Sequence, residues 1–260
     1  MAKTPKSRFP SGAAWDYFKE VRGLLISSHA NVIETFEKKI SHNIRNDGLN
    51  ERNDNAILKI NLLLDTLRTE TLEYYFDENK IVKIADAFTK SVGNNIVQQF
   101  ANQFRSVLGV DPIGRDSKLL DIITAANKEN IAYIKSIPEN YHNNVETVIL
   151  QGVRRGRSNK QIADGLQEAY KTSRTKAKFI ARDQTGSLVA DINKAKYEQS
   201  GLKGFIWSDV GDGNVRDKHK IFNGKRFLWS EGAGTEGLLP GEDYGCRCTA
   251  EVDPDELLNI

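Results

Sequence analysis

Cysteine is scarce in this chain: 260 residues contain two, Cys246 and Cys248. With one residue between them they are poorly placed for a relaxed disulfide with each other, and there is no third thiol to pair with either. The pattern predicts a protein made and kept in a reducing cytoplasm. Long apolar runs are also missing. No segment approaches the ~20 consecutive apolar residues of a membrane span, so no membrane partner is expected. The opening stretch, MAKTPKSRFPSGAAWDYF, lacks the apolar core of a signal peptide, so secretion is not indicated. Short catalytic signatures are absent too: there is no GxSxG, no Walker loop and no HExxH. Net charge is +2, which by itself points to no particular partner.

What is present is the balance of a folded protein. Hydrophobic residues make up 39% and charged residues 28%, too apolar a mixture for a disordered chain. The length suffices for one large or two modest domains, each burying its own core.

Apolar residues recur at helical spacing through the first hundred positions. One row is Phe18, Val21, Leu25, Ile33 and Ile40, and a second is Leu58, Leu62, Leu63, Leu67 and Leu72. A third runs from Ile81 through Ile84, Phe88, Val92, Ile96, Phe100 and Phe104 to Leu108. Residues 47–55 and 109–114 are rich in Asn, Asp, Gly and Pro and read as breaks. Two shorter helices are expected at 117–134 and 139–151, with Pro138 near the start of the second. Ser158 and Gln161 form a capping box for a helix reaching about 170. A separate long helix is expected over 173–199, burying Ala177, Ile180, Ala181, Gln184, Leu188, Ile192 and Ala195. Gly186 weakens its interior by ~1 kcal/mol relative to alanine.

Beyond Gly201 the pattern changes. Residues 204–209, 225–229 and 247–252 have strand character, separated by glycine-rich loops. Asn223-Gly224 is a hairpin signal between 221–222 and 225–227. Trp207, Phe222, Phe227 and Trp229 read as core, and Leu238 and Leu239 should pack on the domain or on a partner. The expected fold class is α+β: a mostly helical N-terminal region, then a small α+β C-terminal domain with short strands and Gly-rich loops. The boundary falls near 136–140 or near 172, and the division adopted is 1–136 and 137–260.

Charge is concentrated in the middle of the chain. Residues 151–182 hold Arg154, Arg155, Arg157, Lys160, Lys171, Arg174, Lys176, Lys178 and Arg182 against Asp164 and Glu168, a net +7. Such a patch can attract phosphate backbones or an acidic protein face, or can simply fill solvated helix surfaces. No zinc-finger spacing or leucine zipper accompanies it, so contact with double-stranded DNA, if made, should be independent of sequence.

The most specific signal lies between residues 181 and 251. It comprises Arg182-Asp183-Gln184-Thr185, the strand with Trp207, then Asp212, Arg216, His219 and Asn223-Gly224, and finally Pro240-Gly241 and Cys246-Arg247-Cys248. In this order the residues resemble the conserved domain of the phage head morphogenesis family, typified by the minor head protein of phage Mu. The resemblance is close over the C-terminal third and looser from about residue 139. It implies a minor capsid protein of the virion, made late, inside the head at the portal vertex and in the host cytoplasm during assembly. The implied partners are the portal protein and a capsid or scaffold protein, and the implied role covers procapsid assembly and the handling of packaged DNA. It implies no enzymatic activity.

Read without the family, the same residues permit other chemistry. His219, Cys246 and Cys248 are candidate zinc ligands, although CxC is tighter than the usual two-to-four residue gap. In an extended segment the two thiols share a face while Arg247 points the other way. Alternatively, the cysteines are buried as small hydrophobes, Arg247 pairs with an acid, and His219 bonds a loop carbonyl, with no cofactor at all. A nuclease or toxin-like enzyme could be centred on Arg216 and His219 with Asp212 and Arg247, or on the carboxylates of Asp209, Asp212, Glu242 and Asp243. A third reading is a non-specific DNA-binding protein. Convergence of Asp212, Arg216, His219 and Arg247 in a cleft favours the enzyme, whereas side chains tied up in turn-stabilising bonds count against it.

Overall fold

Periodicity accounts for most of the helices in the computed structural model, which describes residues 4–43, 54–110 and 117–259. The expected breaks at 47–53 and 111–114 lie outside the described residues. Helix α1 (Ser11–Thr35) buries Phe18, Val21 and Leu25 as expected, with Val32 fully buried beside a half-buried Ile33. A π-helical turn, Phe36–Ile40, extends it and buries Phe36 and Ile40. Helix α3 (Glu78–Leu108) buries the whole predicted row except Leu108 at its end.

Helix α2 (Asp54–Glu70) corrects the sequence expectation. Leu58 and Leu62 are exposed, and the buried row is Ile60, Leu64 and Leu67. Both rows have helical spacing, so periodicity alone could not choose between them. The buried row continues into Thr71, which lies in a second π-helical turn, Thr71–Tyr75.

Two further expectations fail for one reason. Helix α4 (Ser117–Arg154) runs unbroken through Pro138, where two helices had been expected. An interior proline costs ~3 kcal/mol, but Ile134, Ile137 and Tyr141 around it are fully buried. Each such side chain contributes about 1.5–3 kcal/mol, so packing outweighs the break. Helix α5 (Asn159–Gln199) likewise has no interruption near 171. Its buried row, Ile162, Leu166, Ala169, Ser173, Ala177, Ile180, Gln184 and Leu188, keeps a three- and four-residue step throughout. The capping box forms as expected, with Gln161 N donating to Ser158 Oγ (3.2 Å) and Ser158 N donating to Gln161 Oε1 (2.9 Å).

The chain divides into two compact units, and α1, α3, α4 and α5 each contribute a segment to both. One unit holds Phe18–Ile84 and Ile131–Lys178. Several buried polar groups inside it are paired: Thr71 Oγ1 lies 3.0 Å from Ser28 Oγ and 2.7 Å from His142 Nε2, and His29 Nδ1 lies 2.7 Å from the Tyr141 hydroxyl. Burial, helped by the charge of Arg68, pushes His142 down to about 4, so the ring is neutral at physiological pH.

The other unit holds Met1–Tyr17, Ala85–Asn130 and Phe179–Ile260. Its sheet has the order β2-β1-β3, with β1 (Gly204–Ser208) antiparallel to both β2 (Arg226–Leu228) and β3 (Thr249–Glu251). Phe205 and Trp207 share one face of β1 and are fully buried, Phe205 opposite Phe227 and Trp207 opposite Ala250. They join Phe100, Phe104, Tyr197, Phe222 and Trp229 in an aromatic core, against which Leu238 and Leu239 pack as expected. The three strands fall where the sequence placed them, so the α+β expectation holds. The Asn223-Gly224 hairpin does not. Residues 221–224 form the turn after the one-turn helix α6 (Asp217–Lys220), and Gly224, at φ 74°, donates to the Trp207 carbonyl. The strand partner of β2 is β1. A last short helix, α7 (Pro254–Leu257), is capped by Asp253, whose side chain accepts from Asp255 N.

Candidate metal centre

Three chain segments converge beside the sheet. The period of two that aligns β3 with the core extends backwards from Ala250 through Cys248 to Cys246, and all three are buried. Arg247 points the other way and makes a two-pronged pair with Asp212, at 2.7 and 2.8 Å. That pair holds the Asp212 carboxyl below its usual range, with a further contribution from the Asn214 N–H. Helix α6 supplies the third group: His219 turns inward, 2% exposed, while Asp217, Lys218 and Lys220 stay in solvent.

His219 Nδ1 lies 3.6 Å from Cys246 Sγ and 3.6 Å from Cys248 Sγ. A tetrahedral zinc ion with bonds of about 2.3 Å to sulfur and about 2.0–2.1 Å to nitrogen holds its N and S ligands about 3.5–3.6 Å apart. The three candidate ligand atoms lie within 4.8 Å of one another, and this is the group of such side chains found among the described residues. The other ring nitrogen, Nε2, lies 3.4 Å from Asp243 Oδ2 and makes no hydrogen bond among the described residues. A carboxylate behind the non-ligating nitrogen is the usual support of a metal-bound histidine. Burial opposes the Asp243 charge, but Lys218 and Arg216 outweigh it and keep this carboxyl below its ordinary range. The thiols also differ. The hydrogen bond between them pulls Cys246 down and pushes Cys248 up, and the Cys248 N–H further favours the Cys246 thiolate. This set suits a metal that takes sulfur and nitrogen together.

The loop carrying the cysteines is seated on α5 by backbone approach. A Cβ on Gly186 would meet the Cys246 carbonyl oxygen at 2.6 Å and that of Gly241 at 2.9 Å. Gly241 is itself at φ 96° with the Gly186 carbonyl against it. Asp183 Oδ1 accepts from Gly245 N at 2.7 Å, tying the same turn to the helix. Sequence reasoning took Gly186 as a weakness of the helix; it is the place where the loop touches down. Asp243 was read as one of four nuclease carboxylates, not as the support of His219. A signal existed in its position three residues before the CxC.

The remaining motif residues have separate tasks. Gln184 is buried and accepts from Asn130, and Thr185 donates to the Ala181 carbonyl. Trp207 lies edge-on to His219, with centroids 5.3 Å apart, and Pro240 is buried. Arg182, Arg216, His219 and Arg247 do line one cavity, but Asp212 is engaged by Arg247, and Arg216 donates to the Tyr244 carbonyl. Asp209, Glu242 and Asp243 each accept from a nearby backbone N–H and stabilise turns. Among the described residues His219 bonds no loop carbonyl, and its Nδ1 faces sulfur. Far from this centre in sequence, Arg154, Arg155, Lys160, Arg174, Lys176 and Lys178 are exposed and Arg157 is half-buried. At 3.6 residues per turn, Lys160, Lys171, Arg174 and Lys178 share one face of α5, and Lys176 lies on the opposite one.

No described helix is long and apolar enough to cross a membrane. Residues 143–251 match the family model for Phage Mu protein F like protein. A protein of Haemophilus influenzae, described as uncharacterized, is 29% identical over 188 residues, covering 65% of this chain and 42% of its own length. The chain thus spans less than half of that relative. No solved structure matches. The matched span leads to one conclusion: the chain carries a phage head-morphogenesis-like domain over residues 143–251.

Proposed function

We propose that this chain is a minor head protein that binds the portal protein at the portal vertex and takes part in procapsid assembly. The observation that supports this reading is the family match over residues 143–251. In this reading the protein is in the host cytoplasm during assembly and inside the virion head afterwards, with a capsid or scaffold protein as a further contact. In the same reading His219, Cys246 and Cys248 hold one zinc ion, which clamps the α6 turn to the strand entering β3. The support is the match between the 3.6 Å N–S separations and tetrahedral zinc geometry. The division into a 1–136 helical region and a 137–260 domain belongs to this proposal too, the first part supplying the surface that docks.

Co-expression with a phage portal protein tests the assembly role. A complex of fixed stoichiometry on size-exclusion chromatography with light scattering is the expected result. A chain that elutes as a folded monomer, with the portal protein in a separate peak, would sink it.

One observation favours a DNA-handling function alongside assembly: the exposed cationic face of α5 formed by Lys160, Lys171, Arg174 and Lys178. Neutralising Z phosphates gives a salt slope of about −0.9Z for duplex DNA. A duplex of any sequence should therefore bind with an affinity that falls steeply with salt. Reversing Lys160, Arg174 and Lys178 to glutamate should reduce the slope by about 3. An unchanged slope would remove DNA from this face.

A further inference from the structure

The candidate metal centre is not sealed. A cavity of about 130 Å3 reaches His219, Cys246 and Cys248, and its wall carries Arg182, Arg216 and Arg247 with no carboxylate among the lining side chains. The three arginines come from α5, from the residue before α6 and from the segment before β3, so the fold alone collects them. Asp212 holds Arg247 in place, and the Tyr244 carbonyl together with the Asp243 carboxylate, at 3.4 Å, holds Arg216. Arg182 has no acidic partner among the described residues. Its guanidinium lies over the Phe179 ring at 5.8 Å and beside Gly245. Asp243 faces the opposite nitrogen of His219 and does not line the cavity.

Three protein ligands leave one tetrahedral position of zinc to an outside molecule. Zinc with two thiolates is electrically neutral, and Arg247 and Arg216 each face a carboxylate, so Arg182 sets the sign of what is drawn there. Guanidinium groups arriving from different directions suit a tetrahedral oxyanion, which offers an oxygen to each. The volume is below the ~300 Å3 at which small-molecule sites begin, so it admits a phosphate group but not a whole nucleotide. We propose that this cavity binds a phosphate oxyanion, one oxygen on the open zinc position and the others on Arg182 and Arg216. The proposal rests on the zinc reading above. The phosphate is either free or the terminal phosphate of a nucleic-acid strand.

The test uses the full chain loaded with zinc, with metal content measured separately by colorimetric release after denaturation. Calorimetric titration with inorganic phosphate should show binding, and Arg182→Gln should weaken it by about tenfold or more while zinc content is unchanged. Loaded with cobalt(II) instead, the protein should change its visible spectrum on addition of phosphate, because the anion enters the metal's coordination sphere. A single-stranded oligonucleotide with a 5′-phosphate, compared with its unphosphorylated twin, separates the sources. Tighter binding of the phosphorylated strand identifies a strand end, and equal binding of the two with phosphate still bound identifies the free ion. Zinc retained with no phosphate binding would overturn this proposal and leave the metal reading standing. Failure to retain zinc at all would overturn both. Binding unaffected by Arg182→Gln, or with no cobalt spectral change, would overturn the site assignment.

Discussion

Cys246→Ser or Cys248→Ser should reduce zinc from about one ion per chain to a small fraction of that, because a site of three protein ligands keeps too few after losing a thiolate. The same substitution should lower the melting temperature by roughly 10 °C. A ligand present at about a thousand times its dissociation constant stabilises the folded state by about 4 kcal/mol, and 1 kcal/mol shifts the melting temperature of a chain this size by about 2–4 °C. Serine itself is nearly the size of cysteine, so most of the effect is the lost metal. The control is a strong chelator, which should lower the wild-type melting temperature by a similar amount and leave the serine variants where they are. A wild-type protein that purifies without metal, binds none on reconstitution and melts the same with chelator would sink the metal centre. Buried, paired thiols would then be its whole explanation. His219→Ala belongs to the same series and should behave like the cysteine variants.

Gly186→Ala should destabilise the protein by about 2–3 kcal/mol, the cost of forcing a methyl group into a closed contact. The sign is the informative part. Alanine is normally better than glycine inside a helix by ~1 kcal/mol, and Gly186 lies in the middle of α5. The contact opposing it is backbone, the carbonyls of Cys246 and Gly241, which cannot swing away as a side-chain end could. Gly23 in α1 provides the comparison: it is exposed and a Cβ there meets nothing within 4 Å. Gly23→Ala should therefore stabilise by about 0.5–1 kcal/mol. Urea unfolding of the two variants beside wild type decides the matter. Equal stabilisation by both would show that the loop does not rest on α5 at Gly186. Because the displaced carbonyl belongs to a proposed ligand residue, Gly186→Ala should also bind zinc more weakly than Gly23→Ala.

Local pattern made a large part of the structure legible. Helical spacing identified the buried face of α3 up to Phe104 and that of the second half of α5 residue by residue. The S-x-x-Q box located the start of α5, and the strands were found from their aromatic and β-branched content. The failures share a cause. Leu58 and Leu62 are as periodic as Ile60 and Leu64, and only the surface they pack against distinguishes the rows. Pro138 and the segment near 171 look like ends of helices, but each is spanned by side chains whose burial outweighs the local preference.

The chemistry of the candidate site was partly visible in the same way. The CxC pair, the period of two that sets both thiols on one face, and His219 as their possible partner all follow from sequence alone. So does the family resemblance that the match over residues 143–251 supports. Tertiary structure decided the rest, because it concerns distances between residues remote in sequence. These are the 3.6 Å separations of His219 Nδ1 from both sulfurs, Asp243 behind the imidazole, and the engagement of Asp212 by Arg247. Arg182 joining Arg216 across one cavity is a fourth case. A sequence determines which side chains are available and which face of an element they occupy, since that is set by the fixed periods of helix and strand. Which faces meet is set by the packing of the whole unit, and the candidate metal and phosphate chemistry depends on that meeting.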